Sequence, residues 1–276
     1  MNLMVTGGLG FIGSNFINYW MREHPEDSIL NVDKVTYAAN YSNILNPENR
    51  NYRFVKADIA DGKAMEDLSR GMDAIVNFAA ESHVDNSISS PRQFLLSNYM
   101  GVFSLLESAR KNDIRFHQVS TDEVFGSLPL DSIEIFNENS PYNPRNPYSA
   151  TKAAADFLIR SYVNTYGIKA TISNCSNNYG PNQHPEKLIP KTVLNALSGR
   201  NIPIYGNGEQ IRDWIHVEDH CRAIDLILKH GRIGETYLVS ARNERRNIDV
   251  VKTILDMLGA STNLIEYVTD RPGHDV

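Results

Sequence analysis

The stretch Thr6-Gly7-Gly8-Leu9-Gly10-Phe11-Ile12-Gly13 lies between a short apolar run at 2–6 and a helical pattern at 11–23. Its glycines at positions 7, 10 and 13 have the spacing G-x-x-G-x-x-G. This spacing provides a tight turn, a backbone that approaches a pyrophosphate closely, and a helix N-terminus whose free N–H groups attract an anion. The stretch therefore predicts the first strand–loop–helix unit of a dinucleotide-binding fold.

Outward from this loop, short apolar runs alternate with longer helical patterns up to about residue 175. Strand candidates lie at 2–6, 28–33, 52–57, 73–79, 113–120 and 168–174, and helix candidates at 11–23, 62–70, 92–111 and 148–166. Such alternation is typical of a parallel sheet covered by helices on both faces. The predicted fold class is α/β, with residues 1–175 forming a Rossmann-type doubly wound parallel sheet that binds NAD.

The sequence changes character after residue 175, where Asn, Pro and Gly cluster at 174–185. Shorter elements follow, with helices at 186–199, 218–230 and 247–259 and strands near 202–205 and 211–216. We expect residues 176–276 to form a smaller C-terminal α/β substrate lobe, interleaved with the first domain. The sequence of the last residues, 271–276, does not predict a closing helix, so we expect the C-terminal end to be incomplete.

Composition excludes several classes of protein. The 276 residues carry a formal net charge of −6 and contain no basic block, which argues against nucleic acid as a partner. Cys175 and Cys221 are far apart, so a disulfide framework is not expected and a cytoplasmic location fits best. No apolar run is long enough to span a membrane, and no His, Cys and carboxylate grouping predicts a metal site.

Asp33 ends the second predicted strand, twenty residues after Gly13. Its carboxylate can accept hydrogen bonds from an adenosine ribose and would repel a 2′-phosphate, which favours NAD over NADP. The positive charge of Lys34 weakens this preference. Asp58 follows the third strand, where it is placed either to reach the adenine or to serve as a turn or helix cap.

Tyr148 and Lys152 lie four residues apart on a predicted helix and therefore on one face. A lysine ammonium beside the phenol, with a cationic nicotinamide nearby, would lower the pKa of Tyr148 and allow the phenol to act as a base. The pattern Y-x-x-x-K also arises by chance in helices. Pro147, a good helix-start residue, favours the catalytic interpretation.

Ser120-Thr121-Asp122-Glu123 follows the fifth predicted strand, and ligands bind at the carboxyl ends of parallel strands. Thr121 alone would also fit a helix cap. Adjacent carboxyl groups separate their pKa values, which leaves one protonated acid and one ionised base. An acid and a base beside Tyr148 predict the loss of water next to a carbonyl.

The helical pattern at 92–111 has an apolar arc wider than one sheet contact requires, and the pattern at 148–166 shows a milder version. Two interpretations remain open. Either both helices are deeply buried within one subunit, or they form a helical interface between two subunits.

Blocks along almost the whole chain resemble the nucleotide-sugar branch of the extended short-chain dehydrogenase/reductase family, the NAD-dependent epimerases and dehydratases. The blocks are TGGLGFIGSNF at 6–16, DKVTYAAN at 33–40, NFAAESHVDNSI at 77–88, STDEVFGS at 120–127, NPYSATKAAAD at 146–156, CSNNYGPNQHPEKLIP at 175–190, IYGNGEQIRDWIHVEDH at 204–220 and DRPGH at 270–274. Asp-Glu after Thr121 and the block at 175–190 are features of the dehydratases in this branch.

The resemblance implies dehydration of dTDP-glucose to dTDP-4-keto-6-deoxyglucose, for deoxysugar supply, by a homodimer. Tyr148 would take the proton of the sugar 4-hydroxyl while hydride leaves C4 for NAD⁺, and Lys152 would tune the tyrosine and hold the nicotinamide ribose. Glu123 would remove the C5 proton of the ketone, and Asp122 would protonate the departing 6-hydroxyl. Hydride would then return to C6. Thr121 would hydrogen-bond the sugar near its 4-oxygen.

The resemblance also implies two sets of binding residues. The cofactor set is Gly7, Gly10, Phe11, Ile12, Asp33, Lys34, Thr36, Asp58, Ile59, Phe78, Ala79, Ala80, Ser82, Ser97, Tyr148, Lys152 and Asn178. The substrate set is Ser82, Thr121, Asn177, Glu186, Lys187, Leu188, Pro203, Ile204, Tyr205, Arg212, Asn247 and His274. Glu81 and His83 are expected to shape the site rather than perform chemistry.

Other interpretations remain open for several of these residues. Asn177 and Asn178 also suit a turn, and Arg212 also suits an ion pair with Asp213. His274 also suits a solvated tail.

The sequence departs from the family pattern at three positions, with Asn86 and Asn174 where arginine is common and Phe125 where tyrosine is usual. These departures leave the exact sugar nucleotide open. A UDP- or GDP-sugar 4,6-dehydratase or a 4-epimerase is the alternative, and a non-catalytic NAD-binding regulator is disfavoured by the complete catalytic set.

Overall fold

The computed structural model describes residues 1–129, 132 and 134–270, and the predicted substrate residue His274 lies outside them. The strands within this part are β1 (Asn2–Thr6), β2 (Ser28–Asp33), β3 (Tyr52–Lys56), β4 (Ala74–Asn77), β5 (Arg115–Thr121), β6 (Ala170–Cys175), β7 (Asn177–Tyr179), β8 (Ile202–Tyr205), β9 (Ile211–His216), β10 (Thr236–Val239), β11 (Glu244–Arg246) and β12 (Ile265–Val268).

The α-helices of the same part are α1 (Phe11–Glu23), α2 (Gly62–Leu68), α3 (Val84–Ser89), α4 (Pro91–Phe94), α5 (Gly101–Asn112), α6 (Pro147–Tyr166), α7 (Leu188–Leu197), α8 (Val217–His230) and α9 (Asn247–Leu258). A π-helical turn, Leu95–Met100, joins α4 to α5. Short 3₁₀ turns occupy Tyr41–Asn43, Asp122–Phe125 and Thr262–Leu264.

The central sheet has seven strands in the order β10-β6-β5-β4-β1-β2-β3, and every neighbouring pair is parallel. Leu3, Met4 and Val5 of the inner strand β1 are 0% exposed, because helices cover both faces of the sheet. The chain leaves β1 towards β2 on one side, whereas β4 lies on the other. This change of direction opens a crevice at the carboxyl ends of the strands. The predicted Rossmann-type fold class is confirmed.

Two apolar clusters pack the helices on the sheet. On one face, Phe16 and Trp20 of α1 pack together with Ile224 of α8. On the other, Leu105 of α5 and Ile159 of α6 pack with residues of α2 and the strands. Because α8 follows residue 175 in sequence yet covers the central sheet, the later part of the chain contributes to the core of the first.

The residues after 175 also form two small sheets, β11-β9-β7 and β12-β8. Between β8, α7 and α9 lies a separate apolar cluster of Ala196, Ile202, Ile204, Val251 and Leu255. Strand β10 instead pairs with β6 at the edge of the central sheet. The smaller lobe is therefore interleaved in space with the dinucleotide-binding fold.

Helix α6 begins with a complete set of start signals. Asn146 is its N-cap, Pro147 is its first residue, and Ser149 completes a capping box. Gly167, at φ 66°, ends it in the left-handed conformation. These signals fix where the helix starts and hence where Tyr148 lies.

The wide apolar arc of α4–α5 serves two surfaces. Phe94 is 1% exposed and Leu105 is 0% exposed, and both pack inward. Leu95 is 52% exposed and Leu96 is 47% exposed, and on α6 Phe157 is 55% exposed. One face of these helices therefore builds the core, and the other presents apolar side chains to solvent in the single chain.

Among the described residues, no helix combines the length and the apolar character needed to cross a bilayer. Cys175 and Cys221 are both free thiols and are buried.

Candidate active site

One cleft lies at the carboxyl ends of β1, β2, β4 and β5 and extends to the segment before α7. All seventeen residues of the predicted cofactor set line it, as do all five predicted catalytic residues. From the substrate set it is lined by Ser82, Thr121, Asn177, Glu186 and Lys187. The structure therefore brings the Gly-rich loop and the predicted chemical groups to one place.

The Gly-rich loop has room only for glycine at its tightest points. Gly7 has φ +72°, and a Cβ there would lie 2.5 Å from the backbone nitrogen of Ala79. A Cβ at Gly13 would lie 2.4 Å from the carbonyl oxygen of Gly7. Gly10, the N-cap of α1, provides no side-chain hydrogen bond to the helix start. The loop thus forms a cradle that leads to an open helix N-terminus, which suits a pyrophosphate.

Asp33 is buried at the end of β2 and braces this loop. Its carboxylate accepts hydrogen bonds from the N–H of Leu9 (3.0 Å) and the N–H of Val35 (2.7 Å). Lys34 forms an ion pair of 2.6 Å with Asp58. The Asp58 carboxylate also accepts a 3.0 Å hydrogen bond from the N–H of Ala60. It therefore stabilises the turn after β3, which was one of the two interpretations of its position. The Lys34 charge is thereby partly neutralised, and the Asp33 carboxylate lines the cleft.

Tyr148 and Lys152 are both buried on the inner face of α6. The Lys152 ammonium donates a 2.7 Å hydrogen bond to the carbonyl oxygen of Val119. Burial raises the pKa of Tyr148 well above its ordinary value, the Glu123 carboxylate raises it further, and a hydrogen bond with Thr121 opposes the rise. The sequence led us to expect a lowered pKa for Tyr148. The protein groups instead raise the pKa of Tyr148, because the phenol is buried and the Glu123 carboxylate is close to it.

Thr121, Asp122 and Glu123 follow β5 in a 3₁₀ turn. The Thr121 hydroxyl accepts a 3.3 Å hydrogen bond from Glu123 N–H, so it does cap the turn. Burial raises the pKa of Asp122 to about 7, with a further rise from Glu123 and an opposing effect of Arg212. Burial and the neighbouring carboxyl group therefore favour the protonated form of Asp122 near neutral pH.

A buried carboxylate that the sequence analysis missed lies one helical turn beyond Lys152. Asp156 is 0% exposed and accepts hydrogen bonds from Ser120 (2.8 Å), Tyr142 (3.1 Å) and Asn174 (3.3 Å). Asn174 also donates to the backbone oxygen of Thr121 at 3.0 Å. The network ties α6 to the ends of β5 and β6. The i, i+4 spacing of Lys152 and Asp156 was the only sequence signal that could have indicated it.

Asn98 is a second missed residue, and it lies in the π-helical turn. Its side chain bonds both backbone groups of Glu81 at 2.9 Å and donates to the Thr151 hydroxyl at 3.0 Å. It therefore connects the cleft wall after β4 to α6. Burial raises the pKa of Glu81, Lys34 opposes that rise, and Glu186 adds to it.

Glu186 lies at the mouth of the cleft, where groups from both lobes converge on it. The Tyr37 hydroxyl donates to its carboxylate at 3.3 Å. His184 and His83 approach the same carboxylate at 3.5 and 3.8 Å. The Lys187 ammonium donates to the backbone oxygen of Ser82 at 3.2 Å. Charged groups of the C-terminal lobe thus close the cleft opposite the Gly-rich loop.

Asn177 and Asn178 belong to β7, which pairs with β9. The Asn178 side chain is used within the protein, since its oxygen lies 2.9 Å from His220 and its amide donates to Ser176 O at 2.9 Å. The two asparagines are therefore part of a strand, although the Asn-rich sequence also suited a turn.

Six predicted substrate residues within the described part of the chain are not among those that line the cleft. Ile204 is 2% exposed in the apolar cluster of the lobe, and Pro203 is its neighbour in β8. The Tyr205 hydroxyl donates to Asp85 at 3.1 Å. Leu188 and Asn247 are the first residues of α7 and α9.

Arg212 in β9 is close enough to Asp122 to influence its pKa. Within the described residues it forms no ion pair with Asp213, which instead accepts from the N–H groups of Ala241 and Asn243. The alternative reading of Arg212 as the ion-pair partner of Asp213 therefore does not hold in this structure. Its charge is directed towards the carboxyl groups of the cleft.

Known proteins share this architecture. Residues 4–275 match the family model described as GDP-mannose 4,6 dehydratase. The dTDP-glucose 4,6-dehydratase of Mycobacterium tuberculosis (strain H37Rv) is 50% identical over 276 residues, which are 100% of this chain and 83% of the relative.

Solved structures agree with these matches. DesIV, the dTDP-glucose 4,6-dehydratase of Streptomyces venezuelae with NAD and dTDP bound, has a TM-score of 0.96 at 44% identity and covers 100% of this chain and 86% of its own. The UDP-N-acetylglucosamine 4-epimerase of Methanobrevibacter ruminantium has a TM-score of 0.90 at 26% identity, over 99% of this chain and 87% of its own. The resemblance that the sequence blocks indicated is confirmed. The chain therefore belongs to the GDP-mannose 4,6 dehydratase family of nucleotide-sugar enzymes, in which the dTDP-glucose 4,6-dehydratases are its relatives.

Proposed function

We propose that this chain is a hydro-lyase that converts dTDP-glucose to dTDP-4-keto-6-deoxyglucose with NAD as cofactor. The observation that carries the proposal is the meeting of Tyr148 with Asp122 and Glu123 in one cleft beside the Gly-rich loop. Tyr148 and Lys152 alone suit oxidation of an alcohol. The added pair of carboxyl groups suits the removal of water from the resulting ketone.

The residues of the cleft fit a bound dinucleotide. Gly7 and Gly13 allow a tight loop that any side chain at these positions would disrupt, the start of α1 is open to a pyrophosphate, and Asp33 is placed for the adenosine ribose. Bound NAD supplies the hydride acceptor for C4 and the hydride donor for C6. Asp33 would repel a 2′-phosphate, so the site favours NAD over NADP.

Tyr148 takes the proton of the sugar 4-hydroxyl as C4 is oxidised. The protein alone holds the pKa of Tyr148 high, so its use as a base depends on positive charge beside the phenol. Lys152 contributes to that charge. Asp156 favours the charged form of the Lys152 ammonium, against the lowering of its pKa by burial.

Glu123 and Asp122 divide the elimination between them. The C4 ketone acidifies the proton on C5, and Glu123 accepts it. Asp122, whose pKa is raised to about 7 by burial and by Glu123, holds a proton that it donates to the departing 6-hydroxyl. One molecule of water leaves and gives an enone. Hydride would then return to C6 while Glu123, after exchange with solvent, returns a proton to C5, and the oxidation state of the cofactor would be restored.

The nucleotide part of the substrate would lie towards the C-terminal lobe. Lys187 and Arg212 offer positive charge to a diphosphate. The Asn247 side-chain oxygen is buried without a hydrogen-bond partner in the described part of the chain, which supports a role in binding a nucleobase or ribose.

The substrate assignment is tested by incubating the protein and NAD with dTDP-glucose, UDP-glucose and GDP-mannose separately. A 4-keto-6-deoxy sugar absorbs in alkali, and we expect that absorbance with dTDP-glucose and at least about ten-fold less with the other two. Tyr148→Phe serves as the inactive control. A 4-epimer without alkali absorbance would identify an epimerase instead, and equal signals from all three nucleotides would reject the assignment to dTDP.

We also propose a cytoplasmic homodimer that uses the exposed face of α4–α5 and α6, because Leu95 and Phe157 are more than half exposed there. Phe157→Glu should convert the dimer to a monomer in sedimentation velocity. Leu226, 60% exposed on α8, gives the matched control, since Leu226→Glu should leave the dimer intact. A wild-type monomer at micromolar concentration would reject this assembly.

A further inference from the structure

The side chain of Asn146 joins two parts of the catalytic machinery. Its oxygen accepts a 2.9 Å hydrogen bond from the N–H of Ser149 and so caps α6. Its amide nitrogen donates to the Glu123 carboxylate at 3.4 Å. Asn146 is 7% exposed, so water competes little for the groups that form these two hydrogen bonds. The same amide therefore contacts the start of the helix that carries Tyr148 and the carboxylate that is the proposed base.

The cap alone does not require an asparagine. Asp and Ser cap helices as well as Asn does, because a cap needs only a side-chain oxygen that accepts from the backbone. Asn differs from both in its NH₂ group, which donates. The NH₂ group is thus not needed to cap α6, and in this structure it donates to Glu123.

Glu123 has few other partners. In the range that the structure describes, Asn146 is the single hydrogen-bond donor to its carboxylate. The titratable groups that face Glu123 are Asp122 on its own turn and the phenol of Tyr148 on α6, and the charged Arg212 of β9 lies close to Asp122. A donated hydrogen bond both orients a carboxylate and favours its ionised form. This bond therefore acts on the two properties that a base at C5 needs.

We propose that Asn146 is a positioning residue whose amide aims the Glu123 carboxylate at the C5 proton while its oxygen sets the start of α6. The inference rests on the proposed dehydratase function. It assigns to the amide donor of Asn146 an effect on the elimination and none on the oxidation at C4.

The decisive variant is Asn146→Asp, which retains the cap and replaces the donor with a carboxylate beside Glu123. Oxidation at C4, followed as reduced nicotinamide in a single turnover, should remain within about two-fold. Elimination should slow at least about ten-fold at pH 7, because the variant loses the donor that orients the Glu123 carboxylate and places a carboxyl group beside it. A rate of elimination equal to that of wild type across the pH range would overturn the proposal.

Two further variants separate the donor from the cap. Asn146→Ser keeps a capping oxygen on a shorter side chain without the NH₂ group that reaches Glu123, so it should slow elimination with little change in melting temperature. Ser149→Ala weakens the capping box but keeps the bond to Glu123, so it should lower the melting temperature and spare elimination. If Ser149→Ala slows elimination as much as Asn146→Ser does, the role of Asn146 is structural only.

A substitution at the cap of a different helix, α2, serves as the control. Asp61 caps α2 through the N–H of Ala64, and Asp61→Asn should change neither step. A wild-type protein that fails to dehydrate dTDP-glucose would reject the proposed function itself. A wild-type protein that succeeds while all Asn146 variants match it would reject only the positioning role.

Discussion

The ammonium of Lys152 donates a 2.7 Å hydrogen bond to the carbonyl oxygen of Val119. The bond connects the middle of α6 to β5 two residues before Thr121. It therefore fixes the distance between the helix that bears Tyr148 and the strand end that bears Asp122 and Glu123. The same lysine has an electrostatic role and a structural role.

Replacing Lys152 with Met should impair both roles. The Val119 carbonyl would be left buried without its donor, which costs about 1–3 kcal/mol of stability. Oxidation at C4 should fall by roughly 10²-fold or more, because Tyr148 loses a neighbouring cation. Urea unfolding and single-turnover formation of reduced nicotinamide measure the two effects. Lys63→Met is the control, since Lys63 forms only an exposed ion pair with Asp67 and should change neither quantity.

Glu123→Gln should uncouple the half-reactions. The amide cannot accept the C5 proton, so elimination should slow by roughly 10²–10⁴-fold, while oxidation at C4 continues. Reduced nicotinamide would then accumulate with dTDP-glucose and no alkali-absorbing product would form. Normal turnover by this variant would remove Glu123 from the role of base.

Asp122→Asn should stabilise the protein at high pH. An aspartate has an unfolded pKa of about 3.9, and burial raises the folded value to about 7. Because the folded state binds this proton more tightly, the stability of the wild type falls as pH rises from about 4 to about 7. The variant lacks that loss, so its urea midpoint should exceed that of the wild type at pH 8 and match it near pH 4. A constant difference between the two proteins at both pH values would contradict the raised pKa.

Gly7→Ala should abolish NAD binding and destabilise the fold. Its Cβ would meet the Ala79 backbone at 2.5 Å, in addition to the strain of a positive φ. Gly71 also has a positive φ, +76°, but no atom lies within 4 Å of a Cβ placed there. Gly71→Ala should therefore cost only about 1 kcal/mol and leave the NAD affinity unchanged, as titration calorimetry can show. Equal losses of NAD affinity in the two variants would mean that the close approach at Gly7 is unimportant.

The sequence predicted those parts of the fold that local patterns determine. The Gly-rich loop, the strands up to β6 and the start of α6 follow from glycine spacing, apolar runs and capping residues. Short elements such as β7 were missed because Asn177 and Asn178 are typical of turns, and only pairing with β9 makes them a strand. Strand β10 joins the central sheet through a contact with β6 that is distant in sequence, which no local pattern reveals.

The sequence predicted which residues line the cleft. It predicted less well how their surroundings change the pKa values and the contacts of these residues. Thr121, Asp122, Glu123, Tyr148 and Lys152 do line one cleft. The direction of the Tyr148 pKa shift and the contacts of Lys152 depend on burial and on neighbours from other elements, so they required the structure. Asp156 and Asn98 escaped prediction for the same reason, because their partners come from strands and loops far away in the chain.

The account stands on the removal of the C5 proton from a transient 4-ketone. The most direct measurement is conversion of dTDP-glucose in D₂O with NAD, followed by NMR of the product. We predict a 4-keto-6-deoxy sugar in which C5 carries deuterium from solvent. A product that retains the original hydrogen at C5, or a 4-epimer with its 6-hydroxyl intact, would contradict the account.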